Sequence, residues 1–343
     1  MFTIFDESVK ITIYFVESSI FMKVCSLFSG IGGIDLGFKQ AGFDIIWANE
    51  FDKYAVSTYI KNFGDDYIVA KDLRKLDVSI IPDFDVLVAG FPCQSFSSAG
   101  KQRGFDDERG QLFFEIVRIV ESKKPEIIFL ENVANLIEHD DGKTFLTVYN
   151  ELVPFGYSFK YCVMDAQEYG NIPQHRERVF IVAFKDVEKC ERFVFPDKIE
   201  LTTHINDIVD RSVKHSDCYY YKDDNPIYKK LELSIKNLSV VYRIRDNGND
   251  IRKYKVCPTL TASMGVFQHQ IPVIKDDFGI RKLTPYECLA LLGFPKDFRF
   301  PNIPLEKAYK QCGNSVVVPV IRRIAENIKI AFEERFETSA NII

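Results

Sequence analysis

The sequence predicts an α/β protein: a mostly parallel sheet covered by helices on both faces, joined to a smaller irregular domain. Three observations carry the prediction. Short apolar, β-rich runs alternate with amphipathic stretches between residues 23 and 184, a glycine-rich turn directly follows the first run, and the texture becomes polar and irregular from about 197 to 272. Strands buried on both faces read as continuous apolar runs, and alternation with helical stretches makes their sheet mostly parallel. The runs fall at 24–28, 45–48, 85–89, 127–130, 161–164 and 179–184, with a third strand placed before Asp72. Helical spacing of apolar residues marks 111–121. Further helices are expected at 284–292, behind a Thr284-Pro285 start, and at 316–332. The last is expected to return to the first domain, giving one domain of 1–196 plus 305–343 and an inserted one of 197–304.

Composition bounds the rest. With 343 residues, 46% hydrophobic and 27% charged, the chain can bury a full core and is no disordered tail. No apolar run approaches the roughly 20 residues of a membrane span. Eight cysteines lack any Cys-x-x-Cys pair and five histidines are scattered, so neither a disulfide frame nor a metal site is expected, and the compartment is read as reducing cytoplasm. Residues 1–21 alternate apolar positions with Asp6, Glu7, Lys10 and Glu17, unlike a signal peptide. A strand begins directly after Met22, so Met22 is read as the natural start and 1–21 as a non-native extension. The net charge is −5, but residues 211–255 hold 11 Lys or Arg against 6 Asp or Glu, interleaved with tyrosines such as Tyr219, Tyr220 and Tyr242. Basic and aromatic residues together suit phosphates and bases, although such a face is more often plain solvated surface.

Four motifs lie at the ends of the expected strands. Ser29-Gly30-Ile31-Gly32-Gly33 follows the first run and opens a helix, where glycine lets a ligand approach the backbone and the helix N-terminus. Glu50 stands twenty residues beyond Gly30, at the end of the second strand, where a carboxylate can accept ribose hydroxyls. Asp72, after the third strand, is positioned for an adenine amino group. Asp35 replaces the third glycine of the dinucleotide fingerprint, so NAD is disfavoured. Gly90-Phe91-Pro92-Cys93-Gln94-Ser95 puts Cys93 on a loop beside that adenosine-type pocket. Most cysteines are inert packing, but these neighbours cannot form a core strand. Glu131 ends the strand at 127–130, where a helix cap is the plain alternative. Arg176 and Arg178, two apart at a strand start, share a face, although alternating charge at a strand edge is often solvation alone.

A thiol, a carboxylate and two arginines converging beside an adenosine pocket suggest one chemistry. Cytosine C5 is too poor a nucleophile to attack a methyl donor, but a Cys93 thiolate adding at C6 makes C5 carbanion-like. Glu131 would act at N3, Arg178 would hold O2, and Arg176 would meet a phosphate or the glutamate. Attack on C6 comes perpendicular to the ring, so a duplex substrate must extrude the base. The basic, tyrosine-rich segment is the candidate second wall.

From Met22 onward the chain resembles the C5-cytosine DNA methyltransferases of bacterial restriction-modification systems. The matches run in the family's order: Phe28 to Gly33, Glu50, Asp72, Gly90 to Ser97, Arg109 to Phe114, Glu131-Asn132-Val133, Gln174 to Phe180, Arg281 to Pro285 with Gly293-Phe294-Pro295, and Gly313-Asn314-Ser315-Val316. The resemblance implies a Rossmann-like S-adenosylmethionine-dependent methyltransferase sheet with a small target-recognition domain, S-adenosyl-L-methionine as donor, and double-stranded DNA as partner. It implies Cys93 as nucleophile and adds Phe28, Phe51, Pro92, Leu112, Asn314 and Ser315 to the cofactor residues Gly30, Gly32, Gly33, Glu50 and Asp72. Thr259, in Pro258-Thr259-Leu260-Thr261-Ala262, looks like the threonine that meets the DNA backbone near the flipped base. Gln94 beside the nucleophile, and Arg243, Arg245 and Arg252 in the target region, are expected DNA contacts. Lys71 stands before Asp72 where the family usually has glycine, which leaves adenine contact less certain than ribose contact. No Cys-Phe-Thr occurs near the target region, which favours DNA over the tRNA cytosine methyltransferases of the same fold. A non-catalytic DNA-binding regulator is the remaining alternative, and the intact catalytic set argues against it. A monomer paired functionally with a restriction endonuclease is expected.

Overall fold

A computed structural model describes residues 21–91, 112–245 and 249–333. The amino-terminal part alternates as expected: β1 (Lys23–Leu27), α1 (Gly33–Gln40), β2 (Asp44–Glu50), α2 (Lys53–Phe63), β3 (Ile68–Ala70), β4 (Val86–Gly90), α3 (Leu112–Lys123), β5 (Ile127–Val133), α4 (Lys143–Leu152), β6 (Ser158–Asp165), α5 (Ala166–Gly170), β7 (Glu177–Phe184) and α6 (Val187–Arg192). Seven strands form one sheet in the order β3-β2-β1-β4-β5-β7-β6. Only β7 runs against the others, antiparallel to both β5 and β6. The order reverses between β1 and β4, the crevice where open α/β sheets place ligands.

Alternation along the central strands builds two cores. Val24, Val86, Val88, Ile127 and Phe129 face one side, which α1 and the last helix cover. Cys25, Leu27, Leu87, Ala89, Ile128 and Leu130 face the other, which α3 and α4 cover. Phe28, expected inside the first strand, lies just past its end because its backbone turns into the left-handed region at φ 54°. β6 is longer than its apolar run at 161–164 because it is an edge strand with a half-exposed first half, so polar residues are admitted there.

The chain continues through α7 (Ile205–Ile208), α8 (Tyr228–Ser234), β8 (Val241–Arg245), β9 (Asp250–Tyr254), β10 (Val273–Asp276), β11 (Gly279–Lys282), α9 (Pro285–Ala290), α10 (Leu305–Asn314) and α11 (Val318–Glu333). The four strands form a second sheet, β11-β10-β8-β9, around a small core of Leu231, Ile235, Tyr242, Ile244, Val273 and Ile280. Arg281, fully buried, donates to Asp276 at 2.6 Å and to Glu287 at 2.7 Å. Glu287 also completes the Thr284 capping box of α9, whose Cys288 and Leu289 lie in the large core. One buried arginine therefore ties the second sheet to the first core. At the far end α11 closes on α1, where a Cβ on Gly37 would meet the Ile321 side chain at 2.5 Å.

Asp35, at the start of α1, is fully buried and accepts hydrogen bonds from Ser26 Oγ and Tyr59 OH, both at 2.6 Å. Burial lifts its carboxyl from 3.8 to about 6, against the lowering by these bonds. A raised carboxyl binds its proton more tightly when folded, so its stabilising contribution is complete below the unfolded value and is lost as pH rises through about 6. Urea unfolding should therefore show the native protein gaining roughly 1 kcal/mol over Asp35→Asn at pH 5 compared with pH 7.5. A stability difference independent of pH would contradict this.

Candidate active site

The site forms where β1, β2 and β4 end. After β1 the chain turns through Gly30 and Gly32, with φ of 57° and 83°, conformations that glycine adopts without strain. Glu50, at the end of β2, closes this turn: its Oε2 accepts from Gly30 N at 2.9 Å and its Oε1 from Phe51 N and Asp52 N at 2.7 and 2.8 Å. Burial raises the Glu50 carboxyl, and the three backbone donors work against that rise. The turn opens on a cavity of about 420 Å³. Among the expected cofactor residues, Phe28, Gly30, Gly33, Glu50, Phe51, Asp72, Leu112, Asn314 and Ser315 line it.

Phe51 leaves its ring 70% exposed at the mouth, an open apolar plate. Asp72 holds Arg74 in an ion pair at 2.7 Å, which with its hydrogen bonds lowers the Asp72 carboxyl and takes up part of its accepting capacity. Gly32 is not a cavity residue. A Cβ there would strike the Phe63 ring at 2.3 Å, so this glycine serves close packing and the turn into α1.

The same cavity contains Glu131, Arg176 and Arg178. Sheet register places them. Glu131 pairs with Gly90 on β4, and Val133, two residues on, pairs with Arg178 on β7, so Arg178 lies diagonal to Glu131 on one face. Arg178 Nε reaches Glu131 Oε1 at 3.0 Å. Burial raises the Glu131 carboxyl, while the charges of Arg178 and Arg176 and the Arg178 hydrogen bond oppose the rise. The result is a buried carboxyl held in orientation by a guanidinium. Asn132 adds a brace, donating to Phe91 O at 3.2 Å where the chain leaves β4. Pro92, Cys93 and Gln94 lie outside the described residues; the chain passes into their segment from Phe91, which lines the cavity.

Arg176 is anchored on the main chain. It is 3% exposed and donates to the carbonyls of Leu260 at 2.8 Å, Gly313 at 3.2 Å, and Ser315. From this backbone anchor its charge acts on Glu131, the glutamate partner that the sequence offered beside a phosphate. Thr259 is joined to the same assembly, its Oγ1 donating to His175 O at 2.6 Å. Arg243, Arg245 and Arg252 lie away from the cavity on the β8–β9 ribbon. Arg243 stands directly opposite Arg252, and Arg245 opposite Asp250, so all share the face turned from the small core. Arg252 pairs with Asp250 at 2.8 Å.

The model of the C-5 cytosine-specific DNA methylases matches residues 22–330 of the chain. The chain belongs to this family. Among the relatives of this methylase, the Type II methyltransferase M.Bsp6I of Bacillus sp. (strain RFL6) is 49% identical over 310 residues, covering 90% of this chain and 98% of that one. The Type II methyltransferase M.HhaI of Haemophilus parahaemolyticus is 37% identical over 312 residues, covering 90% and 94%. Among solved structures, the Entamoeba histolytica methyltransferase EhMeth superposes with a TM-score of 0.72 at 22% identity, covering 91% of this chain and 99% of that one. A likeness at that identity concerns the fold, a Rossmann-like α/β sheet.

Sequence reasoning passed over Asp52, Lys310 and Gln311, which also line the cavity of this methylase. Lys310 and Asp52 pair across it at 3.2 Å. The available signal was spacing: Gln311 precedes Ser315 by one helical turn. Replacing Arg176 with methionine would leave buried carbonyls without donors, at about 1–3 kcal/mol each. Denaturant unfolding should show Arg176→Met less stable by roughly 3 kcal/mol or more; a loss under about 0.5 kcal/mol, the size of an ordinary surface change, would remove Arg176 as the anchor.

Proposed function

We propose that the protein is a DNA (cytosine-5)-methyltransferase that takes a cytosine out of a short duplex site and methylates C5 through a transient covalent bond to Cys93. The Glu131–Arg178 pair, in one cavity with Glu50 and the glycine turn, carries this reading: acid-base and orienting groups stand beside a site suited to a ribose. S-adenosylmethionine fits this cavity, which supplies a carboxylate at Glu50, an exposed ring at Phe51, and two buried polar atoms without a partner among the described residues, Ser315 Oγ and Gln311 Nε2. Bound there, it supplies an electrophilic methyl group.

Cys93 first gives its thiol proton to solvent. The Cys93 thiolate forms a bond to C6 while the 5,6 π electrons move toward C5, and Glu131 provides a proton at N3 so that no full negative charge builds on the ring. Arg178 keeps Glu131 oriented and stands beside the base O2. The C5–methyl bond forms as the donor's S–methyl bond breaks, leaving S-adenosylhomocysteine. Loss of the C5 proton to solvent base then expels Cys93 from C6, and the N3 proton returns to Glu131.

The segment 197–304 is proposed as the target-recognition domain and hinge, closing over DNA against the domain formed by 1–196 and 305–343. On its ribbon, Arg243, Arg245 and Arg252 share one face and supply positive charge for a phosphate backbone. Gln94 and Thr259 are placed nearest the extruded base. The enzyme is proposed to act as a monomer in the cytoplasm, protecting host DNA from a cognate restriction endonuclease. No helix among the described residues is long and apolar enough to cross a membrane.

Labelled methyl transfer to duplex DNA tests the mechanism. Cys93→Ser should abolish turnover while leaving duplex affinity within about threefold; substantial residual turnover would refute the covalent route. Glu131→Gln should slow the reaction by roughly 10²–10⁴-fold, the range of a general acid-base group. An unchanged rate would take Glu131 out of the mechanism.

A further inference from the structure

We infer that Val266 and Phe267 form an apolar wedge that enters the DNA duplex at the step unstacked when the target cytosine leaves it, with the Phe267 ring stacked on a base. This rests on the proposed placement of the second domain over DNA and extends it to side chains that no motif or charge singled out. Val266 is 72% and Phe267 50% exposed, although the turn that carries them is firmly anchored. Leu260, Met264 and Ile271, on either side, are each 1% exposed. The Ser263 carbonyl accepts from Val266 N at 3.0 Å and from Phe267 N at 2.7 Å, and the Phe267 carbonyl accepts from Gln270 N at 2.9 Å. Side chains brace the turn as well: Ser263 Oγ donates to Gln270 Oε1, and Thr261 Oγ1 lies 2.8 Å from Ser263 Oγ. Single exposed apolar side chains are ordinary. Two in succession at the tip of a fixed turn are a prepared contact, since a partner covering them orders little that is not already ordered.

The place of the turn supplies the partner. A Cβ on Gly313 would meet the Thr261 backbone at 2.1 Å, and one on Gly265 would meet Glu306 O at 2.4 Å and Lys310 Cβ at 2.8 Å. Gly313 and Lys310 line the cavity that contains Glu131 and Arg178, so the tip stands beside the rim over which substrate arrives. A duplex whose major groove alone is about 12 Å wide cannot deliver a base into that cavity without covering the rim. The charge along this stretch has the sign that DNA requires: residues 251–275 hold no Asp or Glu but include Arg252, Lys253, Lys255 and Lys275. Lys282 adds another cation, its Nζ donating to Oε1 of Gln268, the residue after Phe267, at 2.7 Å. Extrusion of a base leaves its neighbours' faces uncovered, and apolar side chains placed between bases offset that loss. An aromatic ring stacks on any base, so the wedge holds the cytosine out without adding sequence preference.

Labelled methyl transfer by the full chain to genomic DNA from a host without cytosine methylation tests the wedge. Phe267→Ser should lower the rate at limiting DNA by about tenfold or more, the scale of one base stacked on an aromatic ring, and Val266→Ser should lower it less. Phe267→Trp should keep the parent rate, and its emission should fall when DNA is added; the chain's one tryptophan, Trp47, is buried and leaves that signal legible. Affinity for S-adenosylhomocysteine and the ligand-free thermal midpoint should match the parent in all three variants, which separates a lost DNA contact from a disturbed fold or donor cavity. A parent-like rate in Phe267→Ser, or emission from Phe267→Trp that DNA leaves unchanged, would overturn the wedge. So would a parent dimer that these substitutions split, which would make the tip an interface between copies of the chain. Failure of the unaltered protein to methylate this DNA would instead overturn the reading on which the wedge stands.

Discussion

One buried guanidinium holds the site together. Arg176 joins the start of β7 to the carbonyls of Leu260, Gly313 and Ser315, partners 84, 137 and 139 residues away along the chain. Each segment borders the cavity or leads from it: β7 carries the arginine paired with Glu131, the stretch at 260 approaches the second sheet, and the end of α10 lines the cavity. Glycine makes the junction possible. A Cβ on Gly313 would meet the backbone of Thr261 at 2.1 Å, and one on Gly265 the backbone of Glu306 at 2.4 Å, so α10 and the 261–265 turn pack main chain against main chain. With carbonyls this close and out of reach of water, a donor is required, and a planar guanidinium serves several at once.

Burial then does two different things to the carboxylates of the fold. At Glu50 it encloses a group that three backbone N–H groups hold in place, making a fixed acceptor at the end of β2. At Glu131 it opposes the charged form and raises the carboxyl, while two arginines work against that rise. The strand-order reversal between β1 and β4 sets these two environments side by side, one suited to holding a sugar and the other to passing a proton. Arg281, buried between Asp276 and Glu287, plays the corresponding mechanical part for the second sheet, tying it to α9 and the large core.

Much of this was legible in the sequence, because its signals are local. Apolar runs bounded by turns located the strands of the first sheet but not the four of the second, and the spacing from Gly30 to Glu50 anticipated a carboxylate at the glycine turn, where the structure adds a direct hydrogen bond between them. Glu131 and Arg178 were readable as strand-end charges. What escaped is contact between a side chain and a distant backbone. Nothing in the residue type of Arg176 distinguishes a guanidinium facing carbonyls from one facing phosphate, and the difference lies in segments more than eighty residues away. Gly32 reads as part of a ligand loop but packs on Phe63, from a helix thirty residues on. Gln311 carries no motif of its own; it lines the cavity and meets Thr58, 253 residues earlier.

The central claim is a sulfur–carbon bond made and broken in each turnover, and a duplex carrying 5-fluorocytosine at the target position tests it directly. Fluorine at C5 cannot leave as the proton does, so methyl transfer should be followed by no elimination. Mass spectrometry should then find a denaturant-resistant complex of protein, DNA strand and one methyl group, with the linkage on the Cys93 peptide. Methylation of ordinary cytosine duplexes without any trapped complex on the fluorinated ones, or a complex linked through another residue, would contradict the account.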